Sequence, residues 1–161
     1  MSSIPKKYAP DRLTKKDRKK QIRELKKSKR LYKKKKYYTR KKVKSFKSKR
    51  SNHLANVKKI YGIKKLKVNN ELARKTGCSK KSLRKIVKKG MGAYYSSGSR
   101  PNQTAESWGI ARLASAITSG KSAVVDYHLL EEGCKKNSKA LKLAKKAKKV
   151  SRRKIQKIKN I

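Results

Sequence analysis

Acidic residues are almost missing from this chain: 8 Asp and Glu stand against 53 Lys and Arg in 161 residues, a formal net charge of +45. An excess of that size cannot be neutralised internally, and self-repulsion opposes a compact state. Large apolar residues are scarce too. The mean hydropathy is −1.03, and the deepest apolar run, near Ser122–Val125, is far too short to span a bilayer. No apolar stretch follows Met1, which argues against a secretory leader. One Trp and one Phe leave room only for a small core. The two cysteines, Cys78 and Cys134, form no C-x-x-C pair, and free thiols in a reducing compartment are the plainer expectation. With His53 and His128 they match no zinc-finger or knuckle spacing, so neither a metal nor another cofactor is expected.

What is present is unevenly distributed. From Met91 to Cys134 there are three basic residues (Arg100, Arg112, Lys121) and four acidic ones (Glu106, Asp126, Glu131, Glu132). Residues 1–90 and 135–161 hold the rest of the cations, and 135–161 has no acid. A near-neutral, glycine-punctuated segment can fold, whereas such flanks read as interaction arms that require an anionic surface. Phosphate is one such surface, since its neutralisation releases counterions; acidic protein is the other. The residues expected to make these contacts are Lys33, Lys34, Lys35, Lys36, Arg40, Lys41, Lys42, Lys80, Lys81, Arg84, Arg152 and Arg153. Tyr37, Tyr38 and Phe46 alternate with cations in the first arm. They are expected to anchor it in a neighbour's groove, with stacking on single-stranded bases as the weaker alternative.

The punctuation predicts helices and no convincing strand. Pro5 and Pro10 mark an extended lead-in, and Thr14 caps a helix over 15–34 with a thin apolar stripe of Ile22, Leu25 and Tyr32. Residues 35–51 read as an extended arm. Asn52 opens a short helix closed by Gly62, Asn69 or Asn70 one closed by Gly77, and Ser79 one closed by Gly90. Residues 90–103, with three Gly, three Ser and a Pro, are expected to form an irregular loop. Thr104 caps a helix to about Ser119, in which Ile110, Leu113, Ala114 and Ile117 share a face. A helical turn follows over 126–132, then a helix over 138–150 and an extended basic tail.

Ala73, Gly77, Leu83 and Ile86 have helix-turn-helix spacing, in which Ala permits close approach and Gly makes the turn. Lys80, Lys81 and Arg84 would face DNA in that unit, but the helix lacks Asn or Gln to read adenine. Packing is the favoured reading. The GKS at 120–122 is no phosphate-binding loop, because Ser115 occupies the required Gly position. Ser96, Ser97, Ser99, Tyr94, Tyr95 and Arg100 cluster in sequence without a nucleophile elbow or a His/Asp pair, so no enzyme and no small-molecule substrate is expected. Arg100 and Asn102 are expected to satisfy buried backbone groups, and Arg112 to pair with Asp126.

The stretch 88–126 resembles a small domain of virion-associated proteins of large double-stranded DNA viruses and some tailed phages. A Thr76, Gly77, Ser79, Leu83 lead precedes Gly90, Gly92, Ala93 and Tyr94, an Arg100-Pro101 turn, Ser107, Trp108, Ala111 and Arg112, and a Gly120, Lys121, Asp126 end. The likeness covers about 65–134, and the Lys-rich 30–53 is similar to the N-terminal arm of giant-virus and algal-virus members. Met91 departs from the polar or basic residue usual at its position. The resemblance implies no catalytic activity; it implies a minor capsid or internal virion protein.

The resulting expectation is a mainly α protein: a basic arm (1–51) with one exposed helix, a helical module (52–150) containing a helix-turn-helix-like hairpin, and a basic tail (151–161). Gly90, Gly92, Tyr94, Arg100, Pro101, Trp108, Arg112, Gly120 and Asp126 would form the structural loop and core. The expected role is to link or cement capsid proteins on the inner face of an icosahedral shell assembled in the host cytoplasm. The alternative is a helix-turn-helix or histone-like protein that binds and condenses genomic DNA.

Overall fold

The computed structural model describes residues 3–159. Among them are eight helices: α1 (Lys15–Lys33), α2 (Asn52–Tyr61), α3 (Asn70–Thr76), α4 (Lys80–Ser96), α5 (Ala105–Ala116), α6 (Lys121–Val125), α7 (Tyr127–Gly133) and α8 (Lys139–Lys159). The protein is mainly α, as its pattern of caps and stops predicts. Its contacts divide it into two compact units. Residues 1–49 with 89–109 form the first, and residues 50–88 with 110–161 the second. The division falls within α4 and α5, so each helix supplies residues to both. The first break, at 49/50, lies close to the boundary expected at 51/52; the difference is that residues 89–109 group with the basic N-terminal segment.

The first unit is organised around α1. Thr14 Oγ1 accepts from the Asp17 backbone N–H at 3.2 Å, and Asp17 sits in the first turn where the helix end is positive. The buried side of α1 is short and partly polar: Gln21, Glu24, Leu25 and Ser28. Residues 35–49 run without regular structure. Val43 and Phe46 form a small apolar cluster with Leu13.

Several helix boundaries differ from expectation: α5 ends at Ala116 instead of about Ser119, and the short α6 that follows is unexpected. Ser51, not Asn52, caps α2, its hydroxyl accepting from His53 N–H at 3.2 Å. The helix opened at Ser79 does not stop at Gly90; α4 continues to Ser96. Two glycines cost a helix about 1 kcal/mol each relative to Ala, but continuation places Tyr94 at 0% exposure in the first unit. Burial of an aromatic ring and its polar handle outweighs that cost. The helix ends one turn later, where Ser97 and Gly98 N–H both donate to Ala93 O and Gly98 takes φ +114°. A Cβ there would meet Leu25 Cδ2 and Tyr8, so glycine serves both the turn and the close approach. The tail over 151–159 is likewise helical. Lys, Arg and Gln are good helix formers, no Pro or Gly follows Ser138, and cations suit a helix C-terminus. Residues 160 and 161 of the expected tail lie outside the described residues.

The second unit holds the larger core. Leu72, Leu83, Ile86, Leu113, Ile117 and Leu130 are essentially fully buried. Each such side chain contributes about 1.5–3 kcal/mol by leaving water. Asn69 Oδ1 accepts from Leu72 N–H at 2.9 Å to start α3, and Gly77, at φ +75°, ends it. A Cβ on Gly77 would lie 2.5 Å from Ser138 Cβ, so the turn also admits the approach to α8. On α8, Ala140, Leu141 and Ala144 are buried.

Two long-range backbone hydrogen bonds complete this unit. Ser79 N–H donates to Gly133 O at 2.8 Å and Lys135 N–H to Gly77 O at 2.9 Å. These bonds set Cys78 and Cys134 opposite each other as an isolated antiparallel bridge, and the two sulfurs form a disulfide. This corrects the expectation of free thiols. Each cysteine follows a glycine at the end of a short helix, Gly77-Cys78 after α3 and Gly133-Cys134 at the end of α7.

Candidate functional site

Candidate contact residues sort by whether their charge faces water. Lys33, Lys34, Lys35, Lys36, Lys41 and Lys42 are exposed in the first unit; Lys81, Arg84, Arg152 and Arg153 are exposed in the second, with Lys80 half-buried. On α4, Lys81 and Lys88 each lie three or four residues from the adjacent pair Arg84 and Lys85, so the four form a cationic row along one face.

Arg40 departs from the group, with only 6% exposure. Its Nη1 donates to Ser28 Oγ at 2.9 Å and to Tyr94 O at 2.7 Å, and its Nη2 to Ser99 Oγ at 2.7 Å. The guanidinium lies over the Tyr94 ring, 3.7 Å from its centroid, and the Arg40 backbone N–H donates to the Tyr94 hydroxyl at 2.9 Å. Desolvation lowers its pKa, opposed by nearby Tyr94 and Glu24. Arg40 therefore pins the extended segment to the end of α4 instead of meeting a partner. A run of cations in sequence gives no sign of which member has four internal acceptors and a ring within reach.

The role expected of Arg100 has passed to others. Arg100 is exposed, whereas Asn102 works as a clamp. Its Oδ1 accepts from Val43 N–H at 2.8 Å, and its Nδ2 donates to Val43 O and Phe46 O at 3.0 Å each. Pro101 is buried, and Trp108 is half-buried with its ring edge-on to Tyr8 at 6.1 Å. Gly90 is buried and Gly92 half-buried, with open space where the Gly92 Cβ would lie.

The three arm aromatics take three environments. Phe46 is buried with Arg12 over its ring at 4.7 Å. Tyr38 is half-buried with Lys27 over its ring at 4.4 Å. Burial raises its pKa first and Glu24 next, although neither the Tyr38 hydroxyl nor Glu24 Oε2 makes a hydrogen bond of acceptable geometry. Both rings anchor the segment within its own unit. Tyr37, in contrast, is 71% exposed.

In the second unit Asp126 is fully buried and Arg112 pairs with it by two bonds, Nε to Oδ2 at 2.7 Å and Nη2 to Oδ1 at 2.8 Å. This is the expected pairing, in its fork-to-carboxylate form. The hydrogen bond to Asp126 raises the Arg112 pKa against the opposing effect of burial. Gly120 stands where a Cβ would collide with Ser115 and His53.

Half of the eight acids are engaged by bonds within the chain. Asp11 is paired with Lys6 and Arg18, Asp17 accepts from Ser45 N–H, Glu71 pairs with Lys75, and Asp126 holds Arg112. Of the serines of the 96–99 stretch, Ser96 and Ser97 are exposed, and Ser99 accepts from Arg40 and donates to Arg100 O. Among the described residues, no group of three or more His, Cys, Asp or Glu is placed to hold a metal ion, and no helix is long and apolar enough to cross a membrane.

These features define a small, strongly cationic all-α protein with a largely exposed basic surface. The chain belongs to a family of unknown function, DUF5824, whose model matches residues 5–131. That match takes in nearly all of the first unit and the second as far as α7. No curated protein and no solved structure matches the chain.

Proposed function

We propose that this chain is a structural, non-enzymatic protein of the interior of a large icosahedral double-stranded DNA virus, linking capsid proteins on the inner face of the shell. The observation that carries the reading is the unbalanced exterior: a net +45 remains while at least Asp11, Asp17, Glu71 and Asp126 are engaged within the chain. Such a surface is attracted to acid-rich neighbours and repelled by copies of itself, which suits a linker placed among other proteins. The likeness of residues 88–126 to virion-associated domains supplies the setting. Assembly would take place in the host cytoplasm.

The second reading, genomic DNA binding, is favoured by the exposed cationic row on α4, where Lys81, Arg84, Lys85 and Lys88 would lie against phosphates. Disrupted particles treated with nuclease separate the two. Under the capsid reading the protein stays with shell fragments after the DNA is digested. Its release in step with DNA digestion would refute that reading and support the second.

A further inference from the structure

Tyr37 is the large aromatic of the first unit that burial does not explain. At 71% exposure its ring stands in water, yet its position is defined. It lies 5.2 Å from the Tyr95 ring and 6.2 Å from the Tyr32 ring, and Tyr32 and Tyr95 are themselves stacked at 6.2 Å with planes 10° apart. Tyr95 in turn meets buried Tyr94 edge-on at 5.1 Å. An exposed π-face is therefore held on a chain of rings rooted in the unit's interior.

Cations adjoin the rings. A cleft of about 480 Å³ is lined by Lys26, Lys29, Arg30, Tyr32, Lys33 and Ser96. Lys26 and Lys33 each lie three or four residues from the adjacent pair Lys29 and Arg30, and the four extend over about 10 Å of the α1 axis, enough to follow consecutive phosphates. We infer that this surface is a binding site for single-stranded polynucleotide, with phosphates on the α1 ladder and a base stacked on Tyr37. The ring distinguishes this partner from an acidic polypeptide: every base has a π-face, whereas a run of carboxylates has none. It also distinguishes single strands from duplex, in which bases are stacked on each other and their faces are covered. The site neither requires nor excludes the capsid-linking role.

The test exploits the difference between stacking and charge. The full chain is titrated with oligothymidylate of about 12 nucleotides, an oligouridylate of equal length, a duplex, and polyglutamate, each over a range of salt. Stacking releases few counterions, so Tyr37→Ala should weaken single-strand binding by about five- to 150-fold at every salt concentration, with the slope of log K against log salt unchanged. Tyr37→Phe should restore it. Lys29→Ala with Lys33→Ala should instead flatten the slope by about 0.7 per lost phosphate contact. Duplex and polyglutamate should be indifferent to Tyr37→Ala, and the tighter of the two oligonucleotides names DNA or RNA as the source. Since the ring is exposed, unchanged circular dichroism is expected for each variant. The inference is overturned if Tyr37→Ala leaves single-strand affinity intact, or weakens polyglutamate and duplex equally.

Discussion

Replacing Arg112 with alanine should be among the most damaging single changes to the second unit. Asp126 has a side-chain exposure of 0% and Arg112 of 23%, and their two bonds are both under 3 Å. Forming such a pair from water gains little net energy, because desolvation offsets attraction. Removing one partner is different, since the remaining buried charge keeps its desolvation cost without its guanidinium. Broken buried pairs cost about 3–5 kcal/mol, and the partial exposure of Arg112 places this one near the lower end, about 3 kcal/mol. For a chain of this size that lowers Tm by roughly 10 °C. Arg112→Lys keeps the charge and loses the two-pronged geometry, so an intermediate cost of about 1–2 kcal/mol is expected. Urea unfolding reads both as shifts in midpoint with the slope unchanged. A double-mutant cycle with Asp126→Asn should return a coupling energy above about 1 kcal/mol. A loss below about 1 kcal/mol for Arg112→Ala, the range of exposed surface pairs, would refute the reasoning.

Reduction of the Cys78–Cys134 disulfide, or replacement of both cysteines by serine, opens a loop with a sequence separation of 56. Chain entropy then predicts a loss of about 4 kcal/mol, and identical unfolding curves with and without reductant would contradict it. Arg40→Ala should raise amide hydrogen exchange over residues 39–46, because the guanidinium holds Ser28, Tyr94 and Ser99 together; protection equal to that of the native chain would show that Val43 and Phe46 suffice. Hydrogen bonding to Ser45 lowers the Asp17 pKa below the ordinary carboxylate value, with neighbouring lysines adding to the effect. A depressed folded-state pKa contributes stability that is present above the unfolded value, about 3.9, and lost as pH falls through the folded one. Acid titration of the first unit, followed by hydrogen exchange at Ser45, should therefore lose an acid-dependent step in Asp17→Asn; an unchanged profile in the variant would count against this account.

Which features could be read from the chain follows from the range of the interactions involved. Caps and stops are local, so Thr14, Asn69, Gly62 and Gly77 mark helix ends within a residue or two. The Arg112–Asp126 pair joins residues only 14 apart in sequence, in a region so poor in charge that few other pairings are open to it. The course of α4 through Gly90 and Gly92 is a different case. Local propensity argues for a break there, and the deciding gain comes from Tyr94 meeting Arg40, 54 positions earlier. The disulfide belongs to the same class, since its cysteines are joined only when two helix ends meet.

Composition by itself determined that the exterior is cationic, because eight acids cannot neutralise 53 bases in any conformation, and glycine and cap placement determined that the chain is helical. Only the tertiary structure decided which cations face outward, which aromatics are anchors and which one is left open. Lys36 and Arg40, or Tyr37 and Tyr38, are nearly equivalent as sequence; they differ by which of them finds acceptors and apolar neighbours contributed by distant segments. That complementarity is set by the packing of the whole unit, and no local pattern encodes it.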